Sequence, residues 1–312
     1  MLISLIVLLQ LLAVSSALYT RSLGYRTSGC GIAHSSLLGA NSTTWTIASS
    51  GVERKFLVYV PSTYNAHQPT GVIFSYHGNS RTAQYQETLS RFSDPAFNPD
   101  HIAVYPQGLN NSWQGPSYAV AGVNDLQFTT DIIADLSNNF CIDGSRIYAS
   151  GKSNGGGFVG TLACSAEGGA FAAFAPVSGA FYTDNPGTHT QCSPSRAKLP
   201  MLEFHGGNDT TIPYTGGKGK GGLLPDIDQW LGWWAERDGL SDKKVLPEYG
   251  GEVKHTVYGS GECAGLVQGY KVESLGHDWP STKPNLDSDT PTVIDATAVI
   301  MQFFRQWKLP SN

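Results

Sequence analysis

The pentapeptide Gly151-Lys152-Ser153-Asn154-Gly155 constrains this chain more than any other stretch. Before it, Arg146-Ile147-Tyr148-Ala149-Ser150 reads as a buried strand. After it, Gly156-Gly157-Phe158-Val159-Gly160-Thr161-Leu162-Ala163 reads as a helix whose small residues meet a sheet. A serine between glycines at a strand-to-helix turn is the sequence form of a nucleophile elbow. The turn closes only if its flanks are small. The helix behind the serine aims backbone N–H groups at the place where an oxyanion would form. A glycine-rich surface turn would show the same five letters, but the flanking patterns speak against it.

A serine nucleophile needs a base and a group to orient that base, and behind an elbow these follow in the order Ser, Asp or Glu, His. Leu199-Pro200-Met201-Leu202-Glu203-Phe204-His205 reads as a strand that runs into Gly206-Gly207-Asn208-Asp209. Tyr270 to Leu275 reads as another strand, followed by Gly276-His277-Asp278-Trp279-Pro280. Upstream, Val72 to Tyr76 leads into His77-Gly78-Asn79, where the second oxyanion donor of such a fold is expected. Ser153 is therefore read as nucleophile, His277 as base and Asp209 as orienting acid, with the N–H groups of Asn154 and Asn79 as oxyanion donors. All of these follow strand candidates, at the carboxyl edge where open α/β sheets bind ligands. Asp184 is the alternative acid. His77 precedes the serine and reads as a structural or substrate-positioning residue. His205 reads as a buried, hydrogen-bonded residue among apolar neighbours, and Asp278 as pointing away from His277.

The rest of the chain fits the same architecture. Segments between Thr43 and Tyr64 alternate about Gly51 as an antiparallel entry to the sheet. Helices are expected over Thr82–Leu89, Asp125–Phe140, Asp226–Asp238 and Thr290–Trp307, with strands at His101–Pro106 and Phe171–Val177. Trp230 and Trp234 share a helical face with Ile227 and Leu231, which marks them as core. Alternating strands and helices give an α/β fold with a mostly parallel central sheet covered by helices on both faces. The long loop Gln107–Asn124 lacks a period and carries Trp113, Gln114 and Tyr118; such loops are often functional.

Residues 1–17, an apolar run ending in Ser15-Ser16-Ala17, read as a secretory signal peptide, leaving 18–312 as one catalytic domain. A net charge of −5 and a charged fraction of 14% argue against nucleic acid or an anionic membrane as partner. Five cysteines in a secreted chain imply disulfides with one thiol left over. Asn41, Asn110 and Asn208 head glycosylation sequons. No Cys/His cluster suggests a metal, and acyl chemistry at a serine calls for no cofactor.

The motif around Ser153, together with Phe174-Ala175-Pro176-Val177-Ser178-Gly179, Met201 to Tyr214 and Gly276-His277-Asp278-Trp279-Pro280-Ser281, resembles fungal type-D feruloyl esterases of the first carbohydrate esterase family. The likeness runs from about Gly29 to Trp307. It implies an α/β-hydrolase that cleaves ferulate and related hydroxycinnamate esters from arabinoxylan and pectin; the leader adds secretion, and the chain is expected to be a monomer. His77, Trp113, Tyr118, Tyr214 and Trp279 are then candidates for the substrate pocket. Acetylxylan esterases and polyhydroxybutyrate depolymerases share the scaffold, and a non-catalytic hydrolase-like binding protein is the reading from another class. Leu240 departs from the pattern, which has a cysteine after Arg237-Asp238-Gly239; Cys263 thereby loses the partner that the resemblance implies.

Overall fold

The computed structural model describes residues 27–183 and 191–310. The expected signal segment and Asp184 lie outside them. The sheet opens with a hairpin of β1 (Thr43–Ser49) and β2 (Val52–Tyr59), joined at Ser50-Gly51. Both turn residues have positive φ, 49° and 77°, as a two-residue turn matching strand twist requires. Then come β3 (Thr70–Tyr76), α1 (Ala83–Ser90), β4 (Ile102–Pro106), α2 (Asp125–Asn139), β5 (Ile142–Lys152), α3 (Asn154–Ala163), β6 (Ala173–Val177) and β7 (Met201–Gly206). A two-residue ribbon of β8 (Gly217–Lys218) and β9 (Leu223–Leu224) precedes α4 (Ile227–Arg237). The strands β10 (Lys243–Glu248), β11 (Val253–Tyr258) and β12 (Val267–Val272) and the helix α5 (Ala296–Phe304) complete the chain.

The main sheet has the order β1-β2-β4-β3-β5-β6-β7-β12-β11-β10. From β4 to β12 the pairing is parallel; both flanks are antiparallel. The central strands are buried on both faces, which is why they read as unbroken apolar runs. One face carries α2, α3 and α4, whose Phe128, Phe158, Leu162, Trp230 and Trp234 share one core with Phe74 and Tyr76 of the sheet. The other carries α1 and α5, with Phe303 and Phe304 on Ile73 and Tyr148. The sheet is thus covered on both sides, as expected.

Side-chain caps set the helix starts. Thr82, Asn124 and Asp226 each accept a backbone N–H from three residues on. The last helix corrects the sequence reading: it begins at Ala296, where Asp295 caps it, and not at Thr290. The residues before it double back, with Thr292 N–H on the Ser281 carbonyl at 2.7 Å and Ala296 N–H on that of Pro280 at 3.0 Å. The strands β10 and β11 were not foreseen. In β10 five of six positions are exposed, so no core face is written into its sequence.

Two disulfides form, Cys30–Cys141 and Cys164–Cys192, and Cys263 is free. Leu240 lies against the turn that carries Cys263: a side chain added at Gly259 would meet both Leu240 and the Cys263 carbonyl.

Candidate active site

The turn from β5 into α3 sets Ser153 at φ 58° and ψ −118°, a backbone conformation that L-residues rarely hold. It is over-determined from three sides. Ser153 N–H bonds the Val177 carbonyl at 2.9 Å, and its own carbonyl accepts from Gly157 and Ala180 at 2.8 and 3.0 Å. The flanking glycines are a steric requirement. A Cβ on Gly155 would lie 2.2 Å from the Tyr76 carbonyl oxygen, and one on Gly151 2.8 Å from the Gly155 backbone.

Three side chains from three loops converge here. His277 Nε2 is 2.8 Å from Ser153 Oγ, and His277 Nδ1 is 2.7 Å from Asp209 Oδ2. A carboxylate only accepts, so the network assigns Nδ1–H to Asp209 and leaves Nε2 free to take the serine proton. The second Asp209 oxygen accepts the N–H groups of Thr211 and Ile212, both at 2.8 Å. Burial would raise the pKa of Asp209, but the His277 hydrogen bond and charge bring it below the usual carboxylate range. Burial holds His277 below the ordinary imidazole value; the Asp209 hydrogen bond works against this and the Lys152 charge adds to it.

Lys152 was not singled out from the sequence, yet it fixes the loop that carries the base. Its Nζ donates to the His277 carbonyl at 2.8 Å and pairs with Asp287 Oδ2 at 3.0 Å. Asp287 also accepts Trp279 N–H at 3.0 Å and the Tyr85 hydroxyl at 2.8 Å. One ammonium thereby ties the nucleophile strand, the His277 loop and α1 together. A lysine inside the pentapeptide was the available signal; its partner lies 135 positions downstream, a distance that no local pattern spans.

The oxyanion side is built from the loop after β3 and the start of α3. Asn154 is the first residue of α3, so its N–H has no intrahelical acceptor. Its side chain is spoken for: Oδ1 accepts Trp113 N–H at 2.8 Å. The His77-Gly78-Asn79 turn runs beside the nucleophile, since a Cβ on Gly78 would come 3.4 Å from that of Ser153.

The expected pocket residues need correction. Trp113 is fully buried; it stacks on Phe158, and its Nε1 donates to the His77 carbonyl at 2.8 Å. His77 is equally buried. Nδ1 donates to the Gly78 carbonyl at 2.8 Å, Nε2 accepts Gly108 N–H at 2.9 Å, and burial pulls its pKa down to about 4. Trp279 lies on the far face of the sheet, with Nε1 on Thr297 Oγ1 at 3.1 Å. Tyr214 is buried edge-on against His205. These four shape the loops from behind. Of the five, Tyr118 alone is half-exposed, and it packs on a small cluster of Ala180, Tyr182, Ile212 and Leu224. Ala180 is bonded to the Ser153 carbonyl, which sets this cluster beside the nucleophile.

His205 also departs from expectation. It is buried, but its neighbours are not all apolar: Nδ1 lies 2.8 Å from Glu203 Oε1, and Nε2 lies 2.8 Å from the Ile212 carbonyl and 3.5 Å from Asp209 Oδ2. Among the described residues no three His, Cys, Asp or Glu side chains gather as a metal site.

The doubly covered, mostly parallel sheet with its strained serine turn is an α/β-hydrolase fold. No family model matches the chain. Its fold is similar to that of an acetyl xylan esterase from Aspergillus awamori, with a TM-score of 0.58 at 15% identity over 85% of this chain and 99% of that one. A ferulic acid esterase from Anaeromyces mucronatus, in complex with ferulic acid, gives a TM-score of 0.51 at 13% identity over 85% and 89%. In sequence the chain is 31% identical over 166 residues to "Feruloyl esterase D" of Neurospora crassa, covering 50% of this chain and 54% of that protein. It is 30% identical to "Feruloyl esterase B" of Piromyces equi over 53% of this chain and 31% of the relative, and 29% identical to "Probable feruloyl esterase C" of Aspergillus oryzae over 68% and 72%. The matches thus span from a third to about seven-tenths of these relatives' own length. The chain is a relative of the fungal feruloyl esterases.

Proposed function

We propose that this chain is a secreted serine esterase, one catalytic domain acting as a monomer, that hydrolyses ferulate and related hydroxycinnamate esters on arabinoxylan or pectin. The observation that carries the reading is the chain of hydrogen bonds from Ser153 Oγ through His277 to Asp209, at 2.8 and 2.7 Å, behind a serine in a strained turn. The named relatives supply the substrate class.

His277 Nε2 takes the proton of Ser153 as Oγ attacks the ester carbonyl. The N–H groups of Asn154 and Asn79 receive the oxyanion. The tetrahedral adduct collapses, and the sugar hydroxyl leaves with the proton from His277. Water then gives a proton to His277, attacks the acyl-enzyme and releases the free acid. Asp209 holds the imidazole in the correct tautomer and stabilises the imidazolium. Lys152 and Asp287 keep the His277 loop in register with the nucleophile.

A second reading, an acetyl esterase, draws support from one observation. Trp113, Trp279 and Tyr214 are buried, so fewer aromatic side chains line the acyl side than a pocket for a phenolic ring was expected to need. Comparing kcat/KM for methyl ferulate and for an acetylated xylooligosaccharide decides between them. The hydroxycinnamate reading expects at least about tenfold in favour of ferulate, a gap of about 1.4 kcal/mol. The reverse preference assigns the acetyl reading, and release of 3-hydroxybutyrate from polymer films a depolymerase.

A further inference from the structure

Behind Asp209 lies a pair of titratable side chains that the acyl-transfer scheme does not use. The two-residue period of β7 puts Glu203 and His205 on the same face, and both are buried, with 1% and 0% of their surface exposed. A backbone carbonyl only accepts, so the 2.8 Å contact with Ile212 fixes a hydrogen on His205 Nε2. The 2.8 Å contact between Nδ1 and Glu203 Oε1 holds one further proton, on the ring or on the carboxyl group.

The surroundings decide which. The imidazole faces two carboxylates, Glu203 on its own strand and Asp209 at 3.5 Å on the following loop. Tyr214 meets it edge-on at 5.8 Å between centroids. From the neighbouring strand Lys271 is its register partner, but that ammonium sits 5.0 Å above the Tyr214 ring and pairs with Glu273 at 2.6 Å. The remaining ionisable neighbour is His277, on the other side of Asp209. Burial disfavours the cation; the charge and hydrogen bond of Glu203, the Ile212 carbonyl and Asp209 outweigh it and hold His205 above the ordinary imidazole value.

We propose that Glu203 and His205 form a buried carboxylate–imidazolium pair that positions and polarises Asp209, adding an ion-paired His205–Glu203 unit behind the hydrogen-bonded chain Ser153–His277–Asp209. The same carboxylate oxygen, Asp209 Oδ2, lies between the two imidazoles, 2.7 Å from one and 3.5 Å from the other. His205 also grips the carbonyl of Ile212, whose N–H is bonded to Asp209 Oδ1. The acid is thus clamped from both oxygens by one side chain and one turn. Its role is positional, and it rests on the esterase reading only for its kinetic consequence.

Two measurements test it. In the wild-type enzyme at pH 7, ¹⁵N NMR of the histidine rings reads the pair directly, with or without a substrate. His205 is expected with both ring nitrogens protonated. A neutral ring, with hydrogen on Nε2 alone, overturns the proposal. Glu203→Gln keeps the shape and removes the counter-ion, so His205 becomes neutral. The acid limb of kcat/KM for methyl ferulate, and of the labelling rate with a fluorophosphonate, is then expected to move up by about half a pH unit or more, because a cation near His277 has gone. A uniform loss of rate with the limb unmoved means that the pair merely supports the fold, and the proposal falls. If the wild type hydrolyses none of the esters tested, the esterase reading fails and the NMR result still decides the pair.

Discussion

At the scale of single residues, the proposed chemistry is carried by Ser153, His277 and Asp209, and each makes a separate prediction. Ser153→Ala is expected to remove esterase activity by about 10⁶ in kcat while leaving thermal unfolding unchanged, because a triad works as a unit. Turnover of methyl ferulate within tenfold of wild type would end the assignment. Asp209→Asn is expected to cost about 10⁴, since the amide favours the wrong imidazole tautomer. The pH dependence follows from His277. A base acts when neutral, and burial together with Lys152 lowers the pH at which this imidazole charges. Activity is therefore expected to persist as pH falls and to be lost below about 6.5, the ordinary imidazole value. A kcat/KM limb centred above that pH contradicts the environment described for His277. The convergence of these three side chains was legible in the sequence because each follows a strand end, in a fixed order, with a glycine one or two residues away. Lys152 was not, since its meaning depends on Asp287. Trp113, Tyr214 and Trp279 were misplaced because an aromatic residue on a loop reads the same whether it faces a cleft or closes one from behind.

At the scale of elements, the site depends on loops held by a few long-range contacts. The segment from Gln107 to Asn124 has no regular period, yet it is anchored at both ends of its course. Trp113 bonds Asn154 and His77, and Gln114 exchanges hydrogen bonds with Asp125, whose carboxylate pairs with Arg54 at 2.7 Å. Trp113→Ala is expected to destabilise the fold by about 3–5 kcal/mol. It should lower the rates on ferulate and acetate esters by similar factors, because the ring supports the oxyanion corner and does not touch the acyl group. A selective loss on ferulate would return Trp113 to the pocket. Lys152→Met is expected to loosen the His277 loop, cutting kcat/KM by about 10- to 100-fold, as small misplacements of a reacting group do. It should also raise the pH of the acid limb; activity within twofold of wild type would reduce the lysine to a packing residue. The strand and helix runs of the central sheet were readable because burial on both faces leaves an apolar signature. The exposed edge strand β10 left none.

At the scale of the whole molecule, the long-range staple is Cys30–Cys141, which closes a span of 111 residues. Replacing both cysteines by serine is expected to cost about 2–5 kcal/mol in denaturant unfolding at unchanged kcat. The staple joins the chain just ahead of β5, at the edge of the sheet opposite Ser153. The segment after α5 docks on that same edge: Leu309 N–H bonds the Ser145 carbonyl at 2.9 Å, and the Tyr148 hydroxyl bonds the Trp307 carbonyl at 2.8 Å. Ser145 and Ser153 are separated along β5 by roughly 26 Å of extended strand. The molecule therefore has a working side and a handle. Held on a bead by the edge where Trp307 and Leu309 dock, it would turn its cleft outward to meet an insoluble polymer, and coupling through Lys218 of β8 and Lys220 of the turn after it would turn the cleft toward the support.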